Sequence, residues 1–138
     1  MVKAGSVGLR LRVLLGLLPA VLLLAPAAAQ APSLRMLDQL QRGEWELRFR
    51  DGTPTRKICL RTGRELIQLR HPGRDCSQYV VDDNPDEVTV QYTCPGNGYG
   101  LTNIRKGAGS LVQIESSGLV MSRAFDFTAE ARKIGSCR

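Results

Sequence analysis

A mainly β fold, an antiparallel sheet with one short helix and two disulfides behind an N-terminal signal peptide, is what this 138-residue chain predicts, on three observations. Apolar and polar residues alternate in short runs, the period of half-buried strands. Turn residues separate those runs at spacings of 8 to 12, as in an antiparallel meander, a sandwich or a partly closed barrel. An even set of four cysteines follows a leader with the layout of an export signal.

The leader comes first. Lys3, Arg10 and Arg12 precede an apolar run from Val13 to Leu24, and small residues follow as Ala25-Pro26-Ala27-Ala28-Ala29. The run is roughly 12 residues, short of the about 20 that cross a bilayer core, so the segment reads as a cleaved signal and the protein as not membrane-spanning. Cleavage is expected after Ala29, with Ala31 the alternative, so the chain divides into a signal over residues 1–29 and one β-rich domain over 30–138. Arginine outnumbers lysine 15 to 4, and with the alanine-rich leader this is the usage of a GC-rich bacterial genome. The periplasm is the expected location. Without the signal the balance is 16 basic against 13 acidic residues, so the working domain is only mildly basic.

A polar opening segment, Ser33 to Arg42, carries a weak helical pattern. Gly43 then leads into Glu44-Trp45-Glu46-Leu47-Arg48-Phe49-Arg50, a strict alternation that buries Trp45, Leu47 and Phe49 on one face. Asp51-Gly52-Thr53-Pro54 turns the chain into a second strand over 56–60. Thr62 and Glu65 form a Thr-x-x-Glu capping box, which predicts a helix of two turns at most, with Leu66 and Leu69 on one side and His71-Pro72-Gly73 as its stop. Strands follow over 77–81 and 87–94, then 99–106 after Pro95-Gly96-Asn97-Gly98, then 110–116 after Gly107-Ala108-Gly109. Ser117-Gly118 reads as the next turn. A last strand over 120–133 alternates Phe125, Phe127, Ala129 and Ala131 with Asp126, Thr128, Glu130 and Arg132.

Cys59, Cys76, Cys94 and Cys137 all lie in the mature part, and two bridges are expected. Of the three connectivities, Cys59 with Cys76 and Cys94 with Cys137 is the expected one. The first pair would clamp the short helical insert, and the second would tie the C-terminus to a central strand. Loop-closure entropy does not choose among them, because it grows only with the logarithm of length. The cysteine gaps of 17, 18 and 43 residues do not suit zinc, and Cys-x-x-Cys is absent. No metal and no cofactor are therefore expected.

Three constellations invite a functional reading. Arg48, Arg50, Arg56, Lys57 and Arg61 belong to a basic stretch that extends to Arg74, and a summed positive potential there would attract an anionic envelope component. A solvated strand face accounts for the same residues, with Asp82, Asp83, Asp86 and Glu87 as an opposing patch. Nucleic acid is not expected as a partner: export removes the usual targets, and no series of stacking aromatics accompanies the arginines. The glycine-rich segment Gly96 to Gly100 lacks the lysine and the following helix of a phosphate loop, so it reads as a turn, with Asn97 and Tyr99 as its available contacts. His71 is the only histidine, so a hydrolase of the triad type would run through it and needs a carboxylate and a hydroxyl within about 3 Å of its ring. No Gly-x-Ser-x-Gly elbow accompanies it, and no residue is assigned as catalytic.

The series Gly43-Glu44-Trp45-Glu46, Ile58-Cys59-Leu60, His71 with Cys76, Val90-Gln91-Tyr92-Thr93-Cys94-Pro95-Gly96-Asn97-Gly98, Leu111-Val112-Gln113-Ile114, and Glu130-Ala131-Arg132 with Gly135 and Cys137 resembles the small exported bacterial proteins grouped as domain of unknown function 3617. The resemblance spans nearly the whole mature chain. It implies a periplasmic location and the four-cysteine layout, and it transfers no catalytic residue. The expectation is thus a non-enzymatic periplasmic protein with a binding or envelope-accessory role. The alternatives are a carrier of a small apolar ligand, held by Trp45, Phe49, Tyr92, Phe125 and Phe127 in a curved sheet, and a hydrolase dependent on His71.

Overall fold

The computed structural model describes residues 33–138. The expected signal over residues 1–29 and its cleavage point lie outside the described residues. From Ser33 onward the chain opens with a four-residue helix, α1 (Arg35–Asp38), closed at its start by the Asp38 carboxylate accepting the Leu34 N–H at 3.2 Å. Seven strands follow: β1 (Gly43–Phe49), β2 (Arg56–Leu60), β3 (Ser77–Asp83), β4 (Glu87–Cys94), β5 (Gly98–Lys106), β6 (Leu111–Val120) and β7 (Arg123–Gly135). They form one antiparallel sheet in the order β2-β1-β7-β6-β5-β4-β3.

The alternation read from the sequence sets the two faces. Trp45 and Leu47 of β1, Val88, Val90 and Tyr92 of β4, and Phe127, Ala129 and Ala131 of β7 are buried on the inner side. Trp45 also donates its indole N–H to the Gln41 carbonyl at 2.9 Å, so its one polar atom is partnered where its ring is hidden. The inner face is covered by two segments, α1 with Met36 and Leu37, and the connection over residues 61–76 with Leu66, Ile67 and Leu69. That connection joins opposite edges of the sheet. In a flat sheet six strand spacings would separate those edges by roughly 29 Å. Instead Ile58 and Cys59 of β2 line the same groove as Gln78 of β3, so the sheet curls around the segments that fill it. Among the meander, sandwich and barrel arrangements open to the sequence, the curled single sheet is the one adopted.

Three expectations need correction. The capping box at Thr62 forms as read, with Glu65 accepting the Thr62 N–H at 3.2 Å, but it opens a single 3-10 turn (Arg64–Leu66). Gly63 precedes that turn at φ +81°, and a Cβ there would press on the Leu37 carbonyl at 2.7 Å, so the chain bends sharply against α1. Ser117-Gly118 is no turn: β6 runs through it, and the chain reverses at Met121 and Ser122, both at positive φ. Gly118 sits opposite Gly100, where the backbones of β5 and β6 approach closely.

The third correction concerns the disulfides, which are Cys59–Cys137 and Cys76–Cys94, with Cα separations of 5.5 and 4.2 Å. Register explains the pairing. Ser77 faces Thr93 in the β3–β4 ladder, so one step back Cys76 faces Cys94. Glu44 of β1 faces Cys59 on one side and Gly135 on the other, and two residues past Gly135 the chain rounds the end of β1 to reach Cys59. The expected partners Cys59 and Cys76 instead belong to opposite edges of the sheet.

Candidate functional site

The candidate site is a groove of about 530 Å³ between β2 and the 61–76 connection. Ile58 and Leu69 give it apolar surface, and Arg56, Arg64, Glu65, Gln68 and Gln78 give it polar surface. Most of its charges are already used. Arg64 pairs with Asp38 at 3.1 Å, and Glu65 accepts the backbone N–H groups of Arg61 and Thr62. Arg56 differs. It stands opposite Leu47, hence on the inner parity of β2, and its guanidinium lies 5.7 Å from the Phe49 ring centre. One terminal nitrogen reaches the Leu69 carbonyl at 3.4 Å, while the buried Nε has no hydrogen-bond partner. No carboxylate among the described residues pairs with it. Burial, and next the repulsion of Arg70, hold the Arg56 guanidinium below the usual arginine range.

Arg70 shows what a counter-ion changes. It lies over Phe127 at 4.9 Å and Phe49 at 5.8 Å, as Arg56 does over Phe49, yet it pairs with Asp51 at 3.2 Å. Hydrogen bonds from Thr53 are the main reason that the Asp51 carboxyl sits below its ordinary range, so it is fully available to Arg70. Two guanidiniums and one carboxylate share this aromatic platform. One positive charge is left over, and it faces the groove.

The other residues of the basic stretch are dispersed. Arg48 and Arg50 project from the outer face, paired with Glu46 at 2.7 Å and Glu130 at 2.9 Å. Lys57 lies on the outer parity opposite Glu46, and Arg61 is exposed beyond the end of β2. The five residues therefore do not make one basic surface. Arg56 alone of them enters a concave site.

His71 is in the core, 2% exposed. Its Nε2 lies 3.2 Å from the Asn97 carbonyl and its Nδ1 lies 3.1 Å from the Tyr92 hydroxyl. A carbonyl can only accept, so Nε2 carries the hydrogen and Nδ1 of the neutral ring accepts the Tyr92 O–H. The Asn97 carbonyl also accepts the Met121 N–H at 2.8 Å. One oxygen thus joins the β4–β5 turn, the β6–β7 turn and the 61–76 connection. The Asn97 side chain bonds only the nearby Pro95 carbonyl, at 3.4 Å, and Tyr99 points outward from β5. Asn97 acts through its backbone.

Behind Tyr92 lies a second buried pair. Thr102 donates to the Ile67 carbonyl at 2.7 Å, which leaves Ser116 as the donor in the 2.7 Å contact between their hydroxyls. Burial pushes the Tyr92 phenol up to about 12, while the Ser116 hydroxyl and the Arg70 charge act more weakly the other way. Gly100 makes room for this phenol, since a Cβ there would stand 2.5 Å from its Cζ. The histidine therefore has a hydroxyl but a backbone carbonyl in place of a carboxylate, and both hold the core together. Phe49, Phe127, Phe125, His71 and Tyr92 form a chain of ring contacts with centroid distances of 5.4 to 6.2 Å. Those aromatics pack on one another, and none of them lines the groove. No family model, curated protein or solved structure matches this chain. Its two disulfides are consistent with an oxidising compartment, and no helix among the described residues is long and apolar enough to cross a membrane.

Thr102 and Ser116 escaped sequence reasoning, although a signal existed. Both sit on the inner parity of strands whose neighbours Ile104 and Ile114 are core residues, so each needed a buried partner. Gln78 carried no such signal, because its position depends on the curl that brings β3 toward β2.

Proposed function

We propose that this chain is an exported, non-enzymatic binding protein of the bacterial periplasm, related to the domain of unknown function 3617 proteins and delivered by a signal over residues 1–29. Its ligand is an acidic envelope component held in the groove by Arg56. The observation that carries this reading is the guanidinium itself, which is part-buried, faces a concave site and lacks a carboxylate. Desolvating a charge without a counter-ion is unfavourable, and a ligand carboxylate or phosphate would relieve it. Ile58 and Leu69 offer apolar surface beside that charge, so an acidic group carried on a partly apolar body suits the groove.

Native mass spectrometry of the protein isolated from the periplasm of its own cells tests this. The wild type is expected to retain an added acidic mass, and Arg56→Gln to lose at least nine-tenths of it. Equal spectra for the two would overturn the reading. N-terminal sequencing of the same sample is expected to begin at Gln30.

A further inference from the structure

Every neighbouring pair in the sheet is antiparallel, and β2 and β3 are its two edges with five strands between them. The two edges therefore run in the same direction. An antiparallel sheet with an odd number of strands cannot close on itself by antiparallel pairing, but one more strand running opposite to both edges makes the number even. Both edges open on the groove, through Ile58 and Cys59 on one side and Gln78 on the other. Among the described residues, no turn or loop hydrogen bond uses the backbone of residues 56–60 or 77–83, so the free edges have unspent donors and acceptors.

We infer that the groove's ligand is an extended polypeptide segment that enters as an eighth strand, antiparallel to β2 and β3, with acidic residues at its C-terminal end. This rests on the reading of the groove as the ligand site and narrows it to one ligand class. The polarity follows from strand direction. β2 begins at Arg56, so the incoming strand ends there. Arg56 lies on the inner parity of β2 and Lys57 on the outer, and neither has a carboxylate partner among the described residues. Consecutive side chains of a strand alternate in the same way, so two adjacent acids meet the two cations, one on each face. At its opposite end β3 carries Asp82 and Asp83, which disfavour acids in the incoming strand's N-terminal half. Backbone pairing supplies the affinity, and the charge at one end supplies the direction.

Calorimetry on the disulfide-bonded mature protein at low salt tests this. The probe is a capped seven-residue peptide of alternating valine and threonine that ends in two aspartates. Four further probes accompany it: the same peptide N-methylated at alternate residues, the peptide with its acids moved to the N-terminus, inorganic phosphate, and dodecanoate. The first peptide is expected to bind, to slow amide exchange over residues 57–60, and to lose at least tenfold in affinity with N-methylation, with reversed acids, or with Arg56→Gln. Equal binding of the N-methylated peptide overturns the strand. Binding of dodecanoate or phosphate without the peptide also overturns it, and leaves the acidic-ligand reading standing. Failure of every probe, with no added mass on the native protein, removes both.

Discussion

His71 and Arg56 are polar side chains that face the concave side of one sheet, and the fold treats them oppositely. Each ring nitrogen of His71 has a partner inside the protein, and those partners are the turns at the far end of β4 to β7. Arg56 has one weak bond to a carbonyl, an aromatic ring beneath it and a buried nitrogen with nothing to bond. The difference teaches how to tell architecture from site. A buried polar group whose every valence is met belongs to the scaffold, whereas one left unmet beside an open groove is kept for something that arrives.

The comparison can be broken at several levels. The largest effect is expected from the disulfides. Replacing Cys59 and Cys137 by serine releases a loop with a sequence separation of 78 and is expected to lower stability by about 4.5 kcal/mol, against about 3 for Cys76 and Cys94, whose separation is 18. Urea midpoints of the two double variants measure this. A reversed order would mean that the His71 end depends on its covalent link more than on its hydrogen bonds.

His71→Leu is expected to cost about 2–3 kcal/mol, because it strands the Tyr92 hydroxyl in the core and unties the three segments joined at the Asn97 carbonyl. Arg56→Met, by contrast, is expected to change stability by no more than about 1 kcal/mol, since it removes a charge that nothing in the protein compensates. Equal losses in the two unfolding curves would erase the distinction between scaffold and site.

Tyr92 sharpens the scaffold half. The folded chain holds the phenolic proton to about pH 12, whereas a phenol in the unfolded chain releases it near pH 10. Between those values the folded state binds more protons, so stability is full below pH 10 and falls as the pH rises toward 12. Alkaline unfolding followed by circular dichroism is expected to show this slope, and Tyr92→Phe to flatten it. An unchanged slope would place the phenol in water.

Much of this was readable in advance, and particular residues show why. Trp45, Leu47 and Phe49 announced their face by alternation with charge, because a pleated strand puts successive side chains on opposite sides. The same rule placed Phe125, Phe127, Ala129 and Ala131, and it put Arg48 and Arg50 outside. It also holds for Arg56, which is in phase with Ile58 and Leu60, although the grouping of the basic residues by proximity in the chain obscured it. Gly118 was misread as a turn because glycine serves turns and close backbone approach alike, and only the neighbouring strand tells which.

What the sequence by itself determined is therefore local: strands and their faces, the capping box at Thr62, an even set of cysteines and the layout of an export signal. Those properties depend on a residue and its near neighbours in the chain. The tertiary structure alone decided the cysteine pairing, the burial of His71, the unpartnered state of Arg56 and the groove between β2 and β3. Each of these depends on which strands lie side by side and on how far the sheet curls, and both are settled by packing all seven strands around one core.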